Sequence, residues 1–328
     1  MFLAKVPYRL SFFGGGSDFP EYFNSREGRT LSCAIDHYCY VGIRRLPKFF
    51  DYNYRVSYSQ IELTNTIDEI KHPAVREILK GLRLGSEEGL EIICYSDLPA
   101  RSGIGSSSTF CAALMRALDA YMGNVSDNVD LAWRVIDFER NVLNESVGYQ
   151  DQLACCIGGL NWVEYSSCGV NVLPLTMSAT RLDELMDSMF LVYTKQTRHS
   201  SAIAAEHIKR IDENSHNIDN LVQLAKTAHD ILVSEDSQLS NFGSLLHESW
   251  LLKKSLTDKV SNREIDELYR YAIKAGALGG KVMGSGGGGF MLFYVEENAR
   301  QRFIQAFKNH VVVKPKIEHA GAVLLEAR

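Results

Sequence analysis

The chain of 328 residues is long enough to bury a large apolar core and predicts two domains. Apolar residues make up 45% of it and charged residues 23%, the proportions of an ordinary soluble globular protein. The formal net charge of −5 argues against broad binding to nucleic acid.

The cysteines and the apolar runs indicate a cytosolic protein. The seven cysteines are an odd number with no CxxC pair, and the neighbours Cys155 and Cys156 could bridge only with strain, so we expect reduced thiols. The start of the chain is apolar but broken by Lys5 and Arg9, and it lacks a small-residue cleavage site. No apolar run approaches the roughly 20 residues that a membrane span needs.

The first half, residues 1–175, predicts one α+β domain. β-branched and aromatic residues concentrate in five predicted strands, residues 2–12, 30–35, 39–44, 90–95 and 160–165. A hairpin is predicted over 49–58. Apolar residues recur at helical spacing in four longer segments, residues 73–82, 111–122, 128–145 and 147–157.

The second half, residues 176–328, predicts a second α+β domain of sandwich type. Strands are predicted over 187–194 and around 322–325. Helical patterns occupy residues 201–213, 218–235, 238–256, 262–275 and 297–309. A loop is expected to begin at Gly276.

Residues 99–108 form a Gly/Ser loop between a predicted strand and a predicted helix. Gly103 and Gly105 leave backbone N–H groups uncovered, and the serines 106–108 offer hydroxyls that suit a helix N-cap. A helix N-terminus with free N–H groups attracts phosphate, so the loop predicts a phosphate site, with an ordinary capped helix as the alternative. It is not a Walker A loop, because no Lys-Ser/Thr pair follows the glycines.

A second glycine run, residues 284–289, formally matches the dinucleotide pattern GxGxxG. That pattern should follow a strand and open a helix, whereas an apolar aromatic strand follows this run, so we do not expect a dinucleotide site. Consecutive glycines lose much backbone freedom on folding. The run therefore predicts a loop that must approach another loop or a ligand closely.

Three glycine-bearing motifs stand in fixed order: PYRLSFFGGGSD at 7–18, PARSGIGSSS at 99–108 and KVMGSGGGGF at 281–290. This ordered triplet resembles the GHMP kinase superfamily of galactokinase, homoserine kinase, mevalonate kinase and phosphomevalonate kinase, over nearly the whole chain. The resemblance implies a two-domain α+β fold, with an N-terminal domain like the second domain of ribosomal protein S5 and a ferredoxin-like C-terminal domain. ATP and the second substrate would bind in the cleft between them.

Further segments resemble the sugar-1-kinase branch of that superfamily: GGGSD at 14–18, LSCAID at 31–36, GYQDQ at 148–152 and YTKQTR at 193–198. The resemblance implies phosphorylation of the anomeric C1 hydroxyl of a sugar, foremost D-glycero-D-manno-heptose 7-phosphate. The product would be the 1,7-bisphosphate, which feeds a nucleotide-activated heptose. Another anomeric kinase, such as one for L-fucose, is the alternative within the class.

The same resemblance assigns the ATP and Mg²⁺ sites. The backbone N–H groups of the second motif would wrap the ATP phosphates: Gly103, Ile104, Gly105, Ser106, Ser107 and Ser108. Ser107 would offer its hydroxyl to Mg²⁺, with Ser106 as the neighbouring candidate, and Glu139 would supply the carboxylate. A solvated helix residue is the structural alternative for Glu139.

Asp151 and Arg9 are the expected catalytic residues. Asp151 would take the proton from the anomeric hydroxyl, and Arg9 would keep Asp151 ionised and steady the transferring phosphoryl charge. A helix N-cap and a surface-strand arginine are the structural alternatives.

The sugar would bind at the first motif. Asp18 would accept hydrogen bonds from sugar hydroxyls, helped by Gly15, Gly16 and Ser17, with an Asx turn as the alternative. A phosphate on the sugar needs cationic or N–H donors, and the choice among Lys195, Arg198 and Arg44 stays open.

The expected partners are ATP, Mg²⁺ and a small sugar phosphate, without nucleic acid or membrane. The sequence leaves both a monomer and a homodimer open. A catalytically inactive sugar sensor of the same fold is the alternative from another functional class. It should have lost its base or metal ligand, yet Asp151, Glu139 and Ser107 are all present.

Overall fold

The computed structural model describes residues 1–82, 89–196 and 200–326. Its strands are β1 (Phe2–Phe13), β2 (Gly28–Leu46), β3 (Tyr54–Ser57), β4 (Ile61–Thr64), β5 (Gly89–Ser96), β6 (Leu160–Ser166), β7 (Gly169–Pro174), β8 (Met189–Tyr193), β9 (Ala277–Val282), β10 (Phe290–Val295), β11 (Val312–Val313) and β12 (Val323–Glu326). Its α-helices are α1 (Pro20–Phe23), α2 (Pro73–Gly81), α3 (Ser106–Tyr121), α4 (Asn128–Asp137), α5 (Gln150–Ile157), α6 (Ala179–Asp187), α7 (Ser200–Lys209), α8 (Ser215–Val233), α9 (Ser240–Leu256), α10 (Arg263–Ala275) and α11 (Glu297–Ala306).

The first sheet has eight strands and is built around β2. Residues 39–46 of β2 pair with β5 and residues 28–33 pair with β6, while β1 pairs along both parts. The sequence predicts two strands here. The structure has one, because Asp36 and His37 form a bulge opposite the register shift between Pro7 and Tyr8. A bulge interrupts the apolar pattern without ending the strand, and it suits a position opposite proline, which has no N–H to donate.

The second sheet has four strands in the order β11-β8-β10-β9. The expectation of a loop from Gly276 onward is wrong, since residues 277–282 form β9. Helix α9 packs directly on this strand: a Cβ at Gly279 would lie 2.1 Å from the Gly243 carbonyl oxygen. Glycine in a strand permits such close approach, and its weak strand propensity hides the strand in the sequence.

The helix predicted over 128–145 is interrupted. Helix α4 ends at Asp137, and the chain continues as a π-helical turn, Phe138–Val142, which carries Glu139. Helix α5 starts later than predicted, at Gln150. The hairpin lies further along the chain than predicted, in β3 and β4, and β7 and α6 were not predicted at all.

The larger of the two apolar clusters among the described residues contains side chains from both halves of the chain. Phe242 of α9 packs edge-on against Phe12 and Phe13 of β1, with ring centroids 5.5 and 5.0 Å apart. Strand β12, near the end of the chain, returns to the first sheet and pairs with β1. The boundary between residues 175 and 176 stays a prediction. Across the described residues, no helix is long and apolar enough to cross a membrane.

Candidate active site

Arg9 and Asp151 form a partly buried ion pair where β1 meets the start of α5. Arg9 Nε donates to Asp151 Oδ1 at 2.8 Å, and Nη2 donates to Oδ2 at 2.7 Å. Arg9 Nη1 donates to the Gly103 carbonyl oxygen at 2.7 Å. The Arg9 side chain is 2% exposed and that of Asp151 is 30% exposed. One guanidinium therefore fixes both the carboxylate and the glycine loop, and the carboxylate remains accessible.

The second motif forms a tight turn into α3. Gly103 and Gly105 have left-handed φ angles of 80° and 78°, which glycine adopts without strain. The Ile104 carbonyl accepts from the Arg9 backbone N–H at 3.2 Å, so Ile104 is tied to β1. Gly105 is the N-cap residue of α3. The first-turn N–H groups of Ser106, Ser107 and Ser108 have no carbonyl of a preceding turn to bind, and free N–H groups at a helix start are the kind of donor that anions bind; phosphate binding here stays a prediction.

Glu139 is fully buried below the start of α3. Its Oε2 accepts from Ser108 Oγ at 2.7 Å and from Gln152 Nε2 at 2.6 Å. Its Oε1 is buried without a hydrogen-bond partner among the described residues. Burial raises the pKa of Glu139 to about 7, against the lowering effect of its polar neighbours Ser108, Gln152 and Ser107. The π-helical turn thus brings the two predicted metal ligands, Glu139 and Ser107, together.

This arrangement fits a hard cation. An orphaned carboxylate oxygen next to a serine hydroxyl offers oxygen ligands, and Mg²⁺ commonly takes few of them from the protein. Across the described residues, no group of three or more His, Cys, Asp and Glu side chains is gathered in a way that could hold a metal ion. A cation at Glu139 would therefore have few protein ligands.

The first motif is tied to the helix that carries Asp151. Asp18 is buried, which raises its pKa, and its Oδ1 accepts from the Gly16 N–H at 3.0 Å. Its Oδ2 accepts from the Gln150 N–H at 3.2 Å. Ser17 is also buried, and its hydroxyl donates to the Gly14 carbonyl at 2.8 Å. Asp18 therefore anchors the loop to α5, and its contact with a sugar stays a prediction.

Gly15 and Gly16 lie next to different side chains. A Cβ at Gly15 would lie 3.6 Å from Ser11 Oγ and 3.8 Å from Gln150 Nε2. A Cβ at Gly16 would lie 3.0 Å from His207 Nε2 of α7. The loop thus contacts both halves of the chain.

The third motif packs on the second. A Cβ at Gly103 would lie 2.6 Å from the Met283 carbonyl oxygen, and one at Gly289 would lie 2.2 Å from the Ser102 carbonyl oxygen. The Phe290 N–H donates to that Ser102 carbonyl at 2.9 Å. The glycine run predicts a close approach either to another loop or to a ligand, and the structure contains the close approach to another loop.

Two buried lysines that the sequence analysis did not single out complete the site. Lys253 of α9 donates from Nζ to the carbonyls of Val282, at 2.8 Å, and Gly284. Burial and then the charge of Arg9 lower the pKa of Lys253 to about 7. Lys281 Nζ donates to the Phe12 carbonyl at 2.9 Å, and burial lowers its pKa well below the usual range. In the sequence, Lys253 looks like an ordinary last-turn lysine.

The candidates for a sugar phosphate differ in how they are held. Arg44 forms an ion pair with Glu91, which also pairs with Arg55. Lys195 has a left-handed φ of 60° and lines a cavity of about 190 Å³ together with Glu264. Arg198 lies outside the described residues.

The chain matches both models of one family: GHMP kinases N terminal domain over residues 69–159, and GHMP kinases C terminal over residues 228–313. Together with the two-sheet fold and the interlocked glycine loops, these matches show that the chain belongs to the GHMP kinase family. It is therefore an ATP-dependent phosphotransferase with the two-domain fold of that family.

Individual relatives agree with this assignment. The chain is 29% identical over 317 residues to the D-glycero-alpha-D-manno-heptose 7-phosphate kinase of Campylobacter jejuni, covering 93% of this chain and 92% of the relative. It is 25% identical to the L-fucokinase/L-fucose-1-P guanylyltransferase of Bacteroides fragilis, covering 90% of this chain and 34% of the relative.

Solved structures show the same fold. A D-glycero-D-manno-heptose 1-phosphate kinase from Bacteroides thetaiotaomicron superposes with a TM-score of 0.80 at 25% identity, and the match covers 100% of both chains. The galactokinase of Lactococcus lactis, solved with galactose, superposes with a TM-score of 0.72 at 18% identity, over 98% of this chain and 94% of that one.

Proposed function

We propose that this protein is a sugar kinase that transfers the γ-phosphate of ATP to the anomeric C1 hydroxyl of D-glycero-D-manno-heptose 7-phosphate. The product is the 1,7-bisphosphate, which feeds a nucleotide-activated heptose. The observation that carries the proposal is Arg9, which bonds at once to the Asp151 carboxylate and to the Gly103 carbonyl of the glycine loop. The choice of a heptose as the sugar rests on the names of two relatives.

Asp151 acts as the general base. Arg9 occupies both carboxylate oxygens from the buried side, and the 30% exposed side chain still presents lone pairs to the anomeric hydroxyl. The proton moves to Asp151 as the hydroxyl oxygen attacks the γ-phosphorus, the bond from that phosphorus to the bridging oxygen breaks, and ADP leaves. Phosphoryl transfer asks the protein mainly to position reactants and to neutralise charge. Arg9 supplies positive charge here, and the bound phosphates favour the charged form of Lys253 beside it.

The start of α3 binds the ATP phosphates through the N–H groups of residues 103–108. Ser107 and Glu139 hold Mg²⁺, which when bound offsets the negative charge of the phosphates. The orphaned Glu139 Oε1 supports this role.

The first motif binds the sugar, through Asp18 and the backbone of Gly15, Gly16 and Ser17. The reaction takes place in the cytoplasm, which agrees with the seven free cysteines of the described chain. A homodimer stays open.

The first test is ADP release with Mg-ATP against a panel of sugars: D-glycero-D-manno-heptose 7-phosphate, the unphosphorylated heptose, the heptose 1-phosphate, L-fucose, galactose and mannose. We expect turnover with the 7-phosphate alone and a product phosphorylated at C1 by ³¹P NMR. Asp151→Asn should lower kcat by about 10²–10⁴-fold. The matched control is Asp130→Asn, which alters an exposed aspartate in the first turn of another helix.

Other outcomes would redirect the proposal. Turnover with L-fucose would favour the second candidate, which the fucokinase relatives support. Turnover with a free sugar would contradict the phosphate on the substrate. ATP and sugar binding without turnover would favour the sugar sensor.

A further inference from the structure

His207 of α7 is a buried histidine with an unused ring nitrogen. Its side chain is 8% exposed, and Nε2 is buried without a hydrogen-bond partner among the described residues. Buried polar atoms are nearly always paired, so an orphan of this kind points to a partner from outside the chain.

The surroundings of His207 locate that partner in the active site. A Cβ built on Gly16, in the first motif, would lie 3.0 Å from His207 Nε2. The ring packs edge-on against Phe19, with centroids 5.4 Å apart. The charge of Lys253 reaches His207 and also reaches Arg9 and Asp151. His207 therefore lies against the first motif and within electrostatic range of Lys253, which also senses the catalytic pair.

We propose that His207 is a sugar-binding residue whose Nε2 forms a hydrogen bond with a hydroxyl group of the bound sugar beside Gly16. The proposal rests on the proposed function, because it takes the first motif as the sugar site. It makes α7 the part of the second half that recognises the substrate.

The chemistry favours a hydroxyl over a phosphate. Burial lowers the pKa of His207, which outweighs the raising effect of the Gly16 backbone, and the charge of Lys253 adds to the lowering, so the neutral ring is favoured. A neutral imidazole has one donor and one acceptor nitrogen, and a hydroxyl can serve either. A phosphate is bound best by charged donors.

The test uses His207→Phe, which keeps an aromatic ring against Phe19 and removes both nitrogens. On the sugar that the wild type phosphorylates, we expect KM for the sugar to rise about tenfold, as for one lost hydrogen bond. KM for ATP and kcat should change less than twofold. His229→Phe is the control, because that histidine packs on Trp162 and is paired with Asp230.

Mono-deoxy analogues of the same sugar separate recognition from mere packing. For the wild type, the analogue without the contacted hydroxyl should bind about tenfold more weakly, whereas His207→Phe should bind it no worse than the parent sugar. If each deoxy analogue loses the same affinity in the wild type and in His207→Phe, the proposal is overturned. If His207→Phe does not fold, His207→Gln is measured on the same analogues, where retention of the wild-type discrimination is expected and its loss overturns the proposal.

The same measurements distinguish a failure of the proposed function from a failure of the His207 proposal. A wild type that neither binds nor phosphorylates any sugar contradicts the proposed function and this inference together. An active wild type with an unchanged KM in His207→Phe contradicts this inference alone.

Discussion

Glu139 and Lys253 are ionisable side chains that the fold buries beside the glycine-bearing loop of residues 99–108. Burial raises the pKa of the Glu139 carboxyl to about 7 and lowers that of the Lys253 ammonium to about 7. Each group is thus less readily charged than in water. Anionic phosphates near Lys253 and a cation near Glu139 would restore the charged forms.

Glu139→Gln should abolish the stabilisation that Mg²⁺ gives. Glutamine keeps the shape and can still accept from Ser108 and Gln152, but it lacks the charge that a cation needs. With a non-hydrolysable ATP analogue, Mg²⁺ should raise the Tm of the wild type but not of the variant, as measured by thermal shift. Glu164→Gln, on the surface of β6, should respond like the wild type, and an equal Mg²⁺ response in Glu139→Gln would contradict the metal role.

Lys253→Met should change how stability depends on pH. The folded pKa near 7 lies below the unfolded value of 10.5, so the unfolded chain binds more protons between these pH values. The free energy of unfolding of the wild type therefore gains a contribution that rises from about pH 7 to 10.5. The free energy of unfolding of Lys253→Met minus that of the wild type should therefore fall as the pH rises through this range. Urea unfolding at several pH values would measure it. Lys254→Met leaves the buried ammonium of Lys253 in place, so its free energy of unfolding should depend on pH as that of the wild type does.

At the scale of elements, the second and third motifs form one interlocked unit. Gly103 faces the Met283 carbonyl, Gly289 faces the Ser102 carbonyl, and Lys253 holds the carbonyl of Gly284. The loop of residues 99–108 therefore takes its shape partly from the second half of the chain. The glycine composition indicates a close approach, but two loops far apart in sequence meet only when the chain is folded.

Gly103→Ala should destabilise the protein more than Gly123→Ala. Both glycines have left-handed φ angles, 80° and 74°, so both substitutions carry the same backbone cost of about 1–2 kcal/mol. Only at Gly103 would the new Cβ meet backbone, 2.6 Å from the Met283 carbonyl, whereas nothing lies within 4 Å at Gly123. Overpacking should add about 1–3 kcal/mol, measured by urea unfolding, and KM for ATP should rise only in Gly103→Ala. Equal destabilisation would mean that the loops do not interlock.

At the scale of the whole molecule, direct contacts join the two halves of the chain. Phe242 packs against Phe12 and Phe13, Lys281 bonds to the Phe12 carbonyl, and β12 completes the first sheet. A single apolar cluster contains side chains from both halves. These contacts favour one cooperative folding unit.

Calorimetry should accordingly find one unfolding transition, with equal calorimetric and van't Hoff enthalpies. Phe242→Ala should lower stability by about 3–5 kcal/mol, since it empties the shared core. Residues 1–175 expressed alone should not fold stably, because they lack β12 and the ring of Phe242. Two separate transitions, or a stable fragment, would instead support independent domains.

The sequence by itself determined the mixed α/β composition, most helices and the ordered glycine motifs, because these depend on local periodicity and on residue type. Only the tertiary structure decided that Asp36 and His37 form a bulge, that residues 277–282 are a strand, and that Glu139 lies in a π-helical turn. Those outcomes depend on what packs opposite each segment. The same holds for Lys253 and His207: both lie on ordinary helices, and only long-range packing brings them beside Asp151 and Gly16.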